Sequence, residues 1–243
     1  MINHAKLQNI LFIDIETVPI VAQFEELSEE MQKLWTYRVN RFKPEDADES
    51  EYYFEKAGVY AEFGKIVCIS AGFFTHKNDD GPYSFRVKSF YGHDEKEVLQ
   101  EFLDLLQNYY NNPARYFLCG HNIREFDIPY MCRRAVIHQL QLPNMLDTNA
   151  LKPWEVPYID TMRIWKFGDY KNFTSLHLLA TLLEIPTPKA DMEGKDVARV
   201  YWEKDGLERI HKYCQQDVIA TAQLALRLKR LPLIDNEQVT LIN

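Results

Sequence analysis

The sequence predicts an α/β fold, a central sheet flanked by helices, on three observations. Apolar, β-rich segments come first, apolar stripes at helical spacing come later, and in the second half the two kinds alternate. The 243 residues, 46% hydrophobic and 26% charged, fit one generous domain spanning 1–243 with a sizeable core.

Asn9 to Thr17 (NILFIDIET) is apolar with acids at alternate positions and reads as a central strand. Ile66 to Phe74, Ser84 to Tyr91 and Tyr116 to Cys119 read as three more strands, and Pro157 to Met162 as a fifth. Glu95 to Tyr110 carries an apolar helical stripe, and Glu125 to His138 is helical with an interruption expected near its start at Pro129. Ser175 to Glu184 and the long stretch Leu207 to Arg230 complete the helices. Residues 20–63 fit this alternation poorly. They are rich in Glu and aromatics, with six acids and no base between Glu45 and Glu55, and read as a partly helical insertion between the first two strands.

No run of about 18 apolar residues is present to span a bilayer, and the N-terminus lacks the apolar stretch of a secretory signal, so a cytoplasmic location is expected. Cys68, Cys119, Cys132 and Cys214 stand singly, which gives neither a zinc ribbon nor a disulfide framework. A net charge of -8 argues against gripping a polyanion over a wide surface. It leaves room for a site that loads divalent cations, since such a site is itself acidic.

Asp14 and Glu16 stand two apart on the first strand, so both carboxylates share one face while Ile13 and Ile15 take the other. Like charges side by side are costly without a cation between them, although D-x-E alone also suits a solvated acidic face. Gly120 to Asp127 (GHNIREFD) follows the fourth strand at a helix entrance, where Asp127 by itself reads as a cap, Asn122 as a turn residue and Phe126 as core. Tyr213 and Asp217 (YCQQD) lie four apart on the last helix and share a face. The neighbours Ile210, Val218, Thr221 and Leu224 suggest that this face turns toward the sheet, although the motif alone equally suits a satisfied polar pair at the helix surface.

The ordered set D-x-E-T, N-x-x-x-F-D and Y-x-x-x-D resembles the three motifs of the DEDDy 3′-to-5′ exonucleases, and its wording is similar to the proofreading domain of family B DNA polymerases in free-standing form. The resemblance runs from about Ile10 to about Leu228 and departs from the pattern at 20–63 and in lacking a polymerase domain. It implies a ribonuclease-H-like, DnaQ-like exonuclease fold with a mixed central sheet. It also implies two divalent metal ions, Mg²⁺ or Mn²⁺, held by Asp14, Glu16, Asp127 and Asp217, with Asp14 shared between them. Tyr213 would orient the attacking water. Asn122, Phe126, Thr17 and Lys189 would contact a nucleic acid with a free 3′ end, single-stranded DNA ahead of RNA, and the products would be nucleoside 5′-monophosphates. His121, His211 and Asp160 are expected to be structural. The complete set of carboxylates and the tyrosine count against an inactive binding module of the same fold. An RNA-trimming enzyme would use the same metal chemistry.

Overall fold

A strand flanked on both sides by partners can hold polar side chains in fixed positions, and the sequence builds its sheet around such a strand. The computed structural model describes residues 2–76, 83–169, 171–186, 192–202 and 206–242. Its strands are β1 (Ile10–Pro19), β2 (Gly64–His76), β3 (Tyr83–Tyr91), β4 (Phe117–Gly120), β5 (Tyr158–Asp160) and β6 (Val239–Ile242). They form one sheet in the order β5-β4-β1-β2-β3-β6. β1 pairs antiparallel with β2 and parallel with β4, and the β4–β5 and β3–β6 pairs are also parallel. The sheet is mixed, with β1 in its interior, as the sequence leads one to expect.

The helices are α1 (Glu29–Val39), α2 (Glu49–Lys56), α3 (Glu95–Leu105), α4 (Asp127–Ile137), α5 (Thr161–Lys166), α6 (Leu176–Leu182), α7 (Val197–Trp202) and α8 (Gly206–Leu228). The odd residues Leu11, Ile13 and Ile15 of β1 pack with Leu99, Phe102, Met131 and Ala135 of α3 and α4. The even residues Ile10 and Phe12 pack with Phe74, Phe85 and the α8 residues Val218, Ala222 and Ala225. Burying each such side chain contributes about 1.5–3 kcal/mol, so both faces of β1 are anchored. Gly72 lets α8 lie close to the sheet. A Cβ there would stand 2.5 Å from the Phe85 ring and 3.0 Å from Val218 Cγ1.

Residues 20–63 are partly helical, as expected, and carry their own apolar cluster. Ser28 and Asp48 cap α1 and α2 by accepting from the Met31 and Glu51 amides. Fully buried Trp35 stands edge-on to Tyr53, Tyr60 and Phe63 at centroid distances of 5.2, 5.8 and 5.2 Å. The Ile20 amide donates to the Phe63 carbonyl at 3.0 Å and closes the neck of the segment.

Several boundaries differ from the sequence reading. Pro129 does not interrupt α4, because it is the third residue of the helix, where its missing amide costs nothing. The helix from Glu95 ends as α-helix at Leu105 and continues as one wider π-type turn, Leu106–Tyr110. Thr161 and Met162 belong to α5 and not to the fifth strand, because the Asp160 side chain caps a helix there by accepting from the Arg163 amide. β6 was not foreseen: four residues with no periodic continuation give little signal before β3 pairs with them.

A buried ion pair joins these layers. Glu95, 5% exposed, accepts from Arg134 Nε at 2.9 and 3.0 Å, from Arg134 Nη2 at 2.5 Å, from His138 Nε2 at 2.7 Å and from the Ile66 amide at 2.7 Å. Arg134 Nη1 also donates to the Ala61 carbonyl at 2.9 Å. One carboxylate thereby ties α3 to α4 and β2. Removing one partner of such a pair strands the other charge, so Arg134→Met is expected to lower unfolding free energy by about 3–5 kcal/mol. Urea titration followed by circular dichroism measures it, and a loss under 1 kcal/mol would reject the role given to this pair.

Candidate active site

The interior strand, the loop after β4 and the last helix bring their polar residues to one place. Asp14 and Glu16 sit on the face of β1 that α8 covers, opposite Ser70 and Cys68 of β2. The register shifts between Glu16 and Thr17, where β2 carries the additional Val67. One carboxylate oxygen of Asp14, one of Glu16 and the Cys214 sulfur all lie within 4.8 Å of one another. Cys214 donates to Asp14 Oδ2 and to the Asp14 carbonyl, each at 3.4 Å.

The loop that delivers Asp127 is held by Asp160. Its Oδ1 accepts from the Asn122 amide at 3.1 Å and its Oδ2 from the Arg124 amide at 3.2 Å. The Arg124 side chain donates to the Tyr158 carbonyl at 3.1 and 2.7 Å. His121 Nε2 donates to the Thr174 carbonyl at 2.8 Å, which leaves Nδ1 to accept from the Thr161 hydroxyl at 2.9 Å. Burial holds His121 below the usual histidine range, in keeping with a neutral ring in this structural position. Asp160 and His121 thus have the structural places the sequence suggests. His211 stacks on Tyr91 at 4.3 Å.

Burial is the main cause of every pKa shift in the cluster. It raises Asp14 well above the usual carboxylate range, the charges of Asp217 and Asp127 add to this, and the Cys214 hydrogen bond opposes it. Burial and then Asp14 and Asp217 raise Glu16 likewise. Asp127 is pushed up to about 7 by burial, against the pull of its own amide and that of Ile15. Asp217 is pushed up to about 6 by burial, against the Tyr213 phenol that donates to it and the nearby His177. Tyr213 is raised by burial and by Asp217, Glu16 and Asp14 in turn, so its phenol stays protonated. Among the described residues, no lysine or arginine forms an ion pair with any of these four carboxylates.

The other residues singled out from sequence fall into three groups. Asn122 has a left-handed backbone, φ 70°, and its buried carboxamide oxygen has no hydrogen-bond partner among the described residues. Phe126 is half-buried, with its ring 5.4 Å from that of Tyr130. Thr17 donates its hydroxyl to the Gly58 carbonyl at 2.7 Å and so ties β1 to the end of the 20–63 segment. Lys189 lies outside the described residues. Sequence reasoning did not single out Cys214 and His177. Cys214 is hidden inside the Tyr213 to Asp217 motif, and His177 looks like an ordinary polar interruption of an apolar helix.

A family model described as "Predicted 3'-5' exonuclease related to the exonuclease domain of PolB" matches residues 59–234. The chain belongs to this family. Asp127, Tyr213 and Asp217 of this PolB-exonuclease-related chain fall inside the matched span, and β1 with Asp14 and Glu16 precedes it.

A DNA polymerase of Archaeoglobus fulgidus is 30% identical over 146 residues, covering 56% of this chain and 18% of that protein. A DNA polymerase of Pyrococcus glycovorans is 25% identical over 180 residues, covering 66% of this chain and 22% of that protein. The chain thus spans about a fifth of the length of the curated relatives it matches. The family B DNA polymerase of the hyperthermophilic archaeon Pyrobaculum calidifontis superposes with a TM-score of 0.55 at 17% identity, covering 90% of this chain and 24% of that one. The fold is therefore the ribonuclease-H-like fold of the PolB exonuclease, with its mixed sheet flanked by helices. Among the described residues no helix is long and apolar enough to cross a membrane.

The raised carboxylates make stability depend on pH. An acid whose folded pKa exceeds its unfolded value binds its proton more tightly when folded, so raising the pH costs the native state stability. In chelator-treated protein, thermal stability is expected to fall as pH rises from about 4, the usual carboxylate value, through about 6 for Asp217 and about 7 for Asp127. Asp127→Asn should flatten the upper part of this decline and melt higher than the parent at pH 8. A lower melting temperature for that variant at pH 8 would contradict the assigned burial cost.

Proposed function

We propose that the protein is a metal-dependent 3′-to-5′ exonuclease that removes nucleoside 5′-monophosphates from single-stranded DNA. The observation that carries this reading is the gathering of four carboxylates, raised by burial and without a lysine or arginine partner among the described residues, in a family described by that activity. The donor set fits divalent cations: its oxygens suit Mg²⁺ or Mn²⁺, and the buried like charges need a cation among them. Asp14, Glu16, Asp127 and Asp217 would hold two such ions, with Asp14 shared. Cations there would offset the charge of the scissile phosphate and make water a stronger nucleophile at neutral pH.

The chain's own residues supply position and protonation. The Tyr213 phenol, protonated and hydrogen-bonded to Asp217, can orient the attacking water but cannot act as a full base. The Asn122 carboxamide oxygen, buried without a donor among the described residues, supports a contact with the strand end. Phe126 offers part of its ring for stacking, which tolerates any base. Thr17 and Lys189 complete the proposed substrate contacts, though Thr17 would have to share a hydroxyl already bonded to Gly58. DNA is preferred over RNA because the relatives are named DNA polymerases.

The test is digestion of 5′-labelled single-stranded DNA, and of the RNA counterpart, with Mg²⁺ or Mn²⁺. A ladder shortening from the 3′ end is expected, faster on DNA, abolished by EDTA and by Asp14→Ala. Tyr213→Phe should slow the reaction about a hundredfold with little change in strand binding. Absence of cleavage on both strands would defeat the reading, and faster RNA cleavage would overturn the choice of sugar.

A further inference from the structure

The exonuclease reading leaves the Cys214 thiol without a task. Its sulfur is 3.4 Å from Asp14 Oδ2 and shares with the Asp14 and Glu16 carboxylates a space in which all three ligand atoms lie within 4.8 Å. Glu16 is 7% exposed, and among the described residues its carboxylate has neither a hydrogen bond nor an ion pair. Cys68 stands opposite Glu16 in the sheet with its sulfur 3.8 Å from Ser70 Oγ, and packs in the same cluster as Cys214. Cys119 packs in the cluster around Phe12, and Cys132 faces the Leu146 carbonyl at 3.9 Å, so neither joins this group.

Oxygen donors alone suit hard cations such as Mg²⁺, and a sulfur donor adds nothing for them. Sulfur beside carboxylates favours softer ions of the zinc class. Neighbouring ligand atoms around a tetrahedral zinc ion are roughly 3.5 Å apart. The Cys214 sulfur and Asp14 Oδ2 already stand at such a spacing, and Glu16 needs only a small approach. The geometry points to a mixed oxygen and sulfur site for a soft divalent cation, formed by Asp14, Glu16 and Cys214 within the carboxylate cluster.

On binding, a sulfur–metal bond forms and the thiol proton leaves to solvent, with no change of oxidation state. The consequence for catalysis rests on the exonuclease reading: a soft cation seated there competes for Asp14 and Glu16 and so inhibits Mg²⁺-supported hydrolysis.

Cadmium is the probe, because its bond to a thiolate gives an ultraviolet charge-transfer band that Mg²⁺ cannot give. Titrating the full chain, stripped of metal, should produce this band and saturate at one Cd²⁺ per chain. The band should persist in Cys68→Ser and vanish in Cys214→Ser and Cys214→Ala. It should vanish also in Asp14→Asn, which keeps all four thiols and so reports the site even where a cysteine variant fails to fold. Separately, the Zn²⁺ concentration that halves Mg²⁺-supported cleavage should rise roughly tenfold or more in Cys214→Ser, each protein compared with its own uninhibited rate. No band in the parent, or a parent band unchanged by Cys214→Ser or by Asp14→Asn, would overturn the assignment. A cadmium band in a protein without Mg²⁺- or Mn²⁺-dependent cleavage would instead defeat the exonuclease reading and leave the soft-metal site standing.

Discussion

Carboxylates gathered where water is scarce repel one another, and the fold answers this with its most rigid elements. β1 cannot shift along its axis, because β2 and β4 pair with it on either side and its two faces are packed against different helices. Asp14 and Glu16 therefore stay side by side although burial raises the proton affinity of both and Asp14 raises that of Glu16 further. The strain is local and electrostatic, and the apolar packing on either face of the strand offsets it.

Two further supports bring distant residues to that strand. Gly72 lets α8 approach the sheet, and Cys214 of that helix reaches Asp14 at 3.4 Å, which brings Tyr213 and Asp217 of the same helix toward the strand. On the other side, Asp160 gathers the amides of Asn122, Arg124 and Arg163, so that the turn into α4 and the turn into α5 share one anchor. Asp127 begins α4 and inherits its position from that anchor. Loop residues are thus held as firmly as strand residues, a condition for geometry that must be accurate to a fraction of an ångström.

Much of this was legible in the sequence, because the residues that matter obey simple periods. The two-residue spacing of Asp14 and Glu16 and the four-residue spacing of Tyr213 and Asp217 each specify a face without knowledge of the tertiary fold. The interior place of β1 followed from its apolar run, and Asp160 and His121, expected to be structural, are both held in hydrogen bonds to the backbone. What stayed hidden depends on neighbours from elsewhere in the chain. Pro129 reads as a breaker until the first turn of α4 is located. β6 is too short to declare itself apart from β3. Cys214 lies between two motif residues, and only its approach to Asp14 across 200 positions gives it chemical meaning.

The neck of the 20–63 segment carries a consequence of another kind. The chain leaves the sheet at Ile20 and returns at Phe63, and a single 3.0 Å hydrogen bond joins those two points. The aromatic cluster around Trp35 closes on itself above that bond. The sheet and α4 therefore hold the two ends of the excursion, at Ile20 and along Gly58 to Phe63, while the stretch between α1 and α2 stands clear of these ties. Doubling a closed loop adds only about 0.6 kcal/mol of closure entropy. The connection between α1 and α2 can thus change length at little cost while the spacing of Asp14 and Glu16 stays fixed.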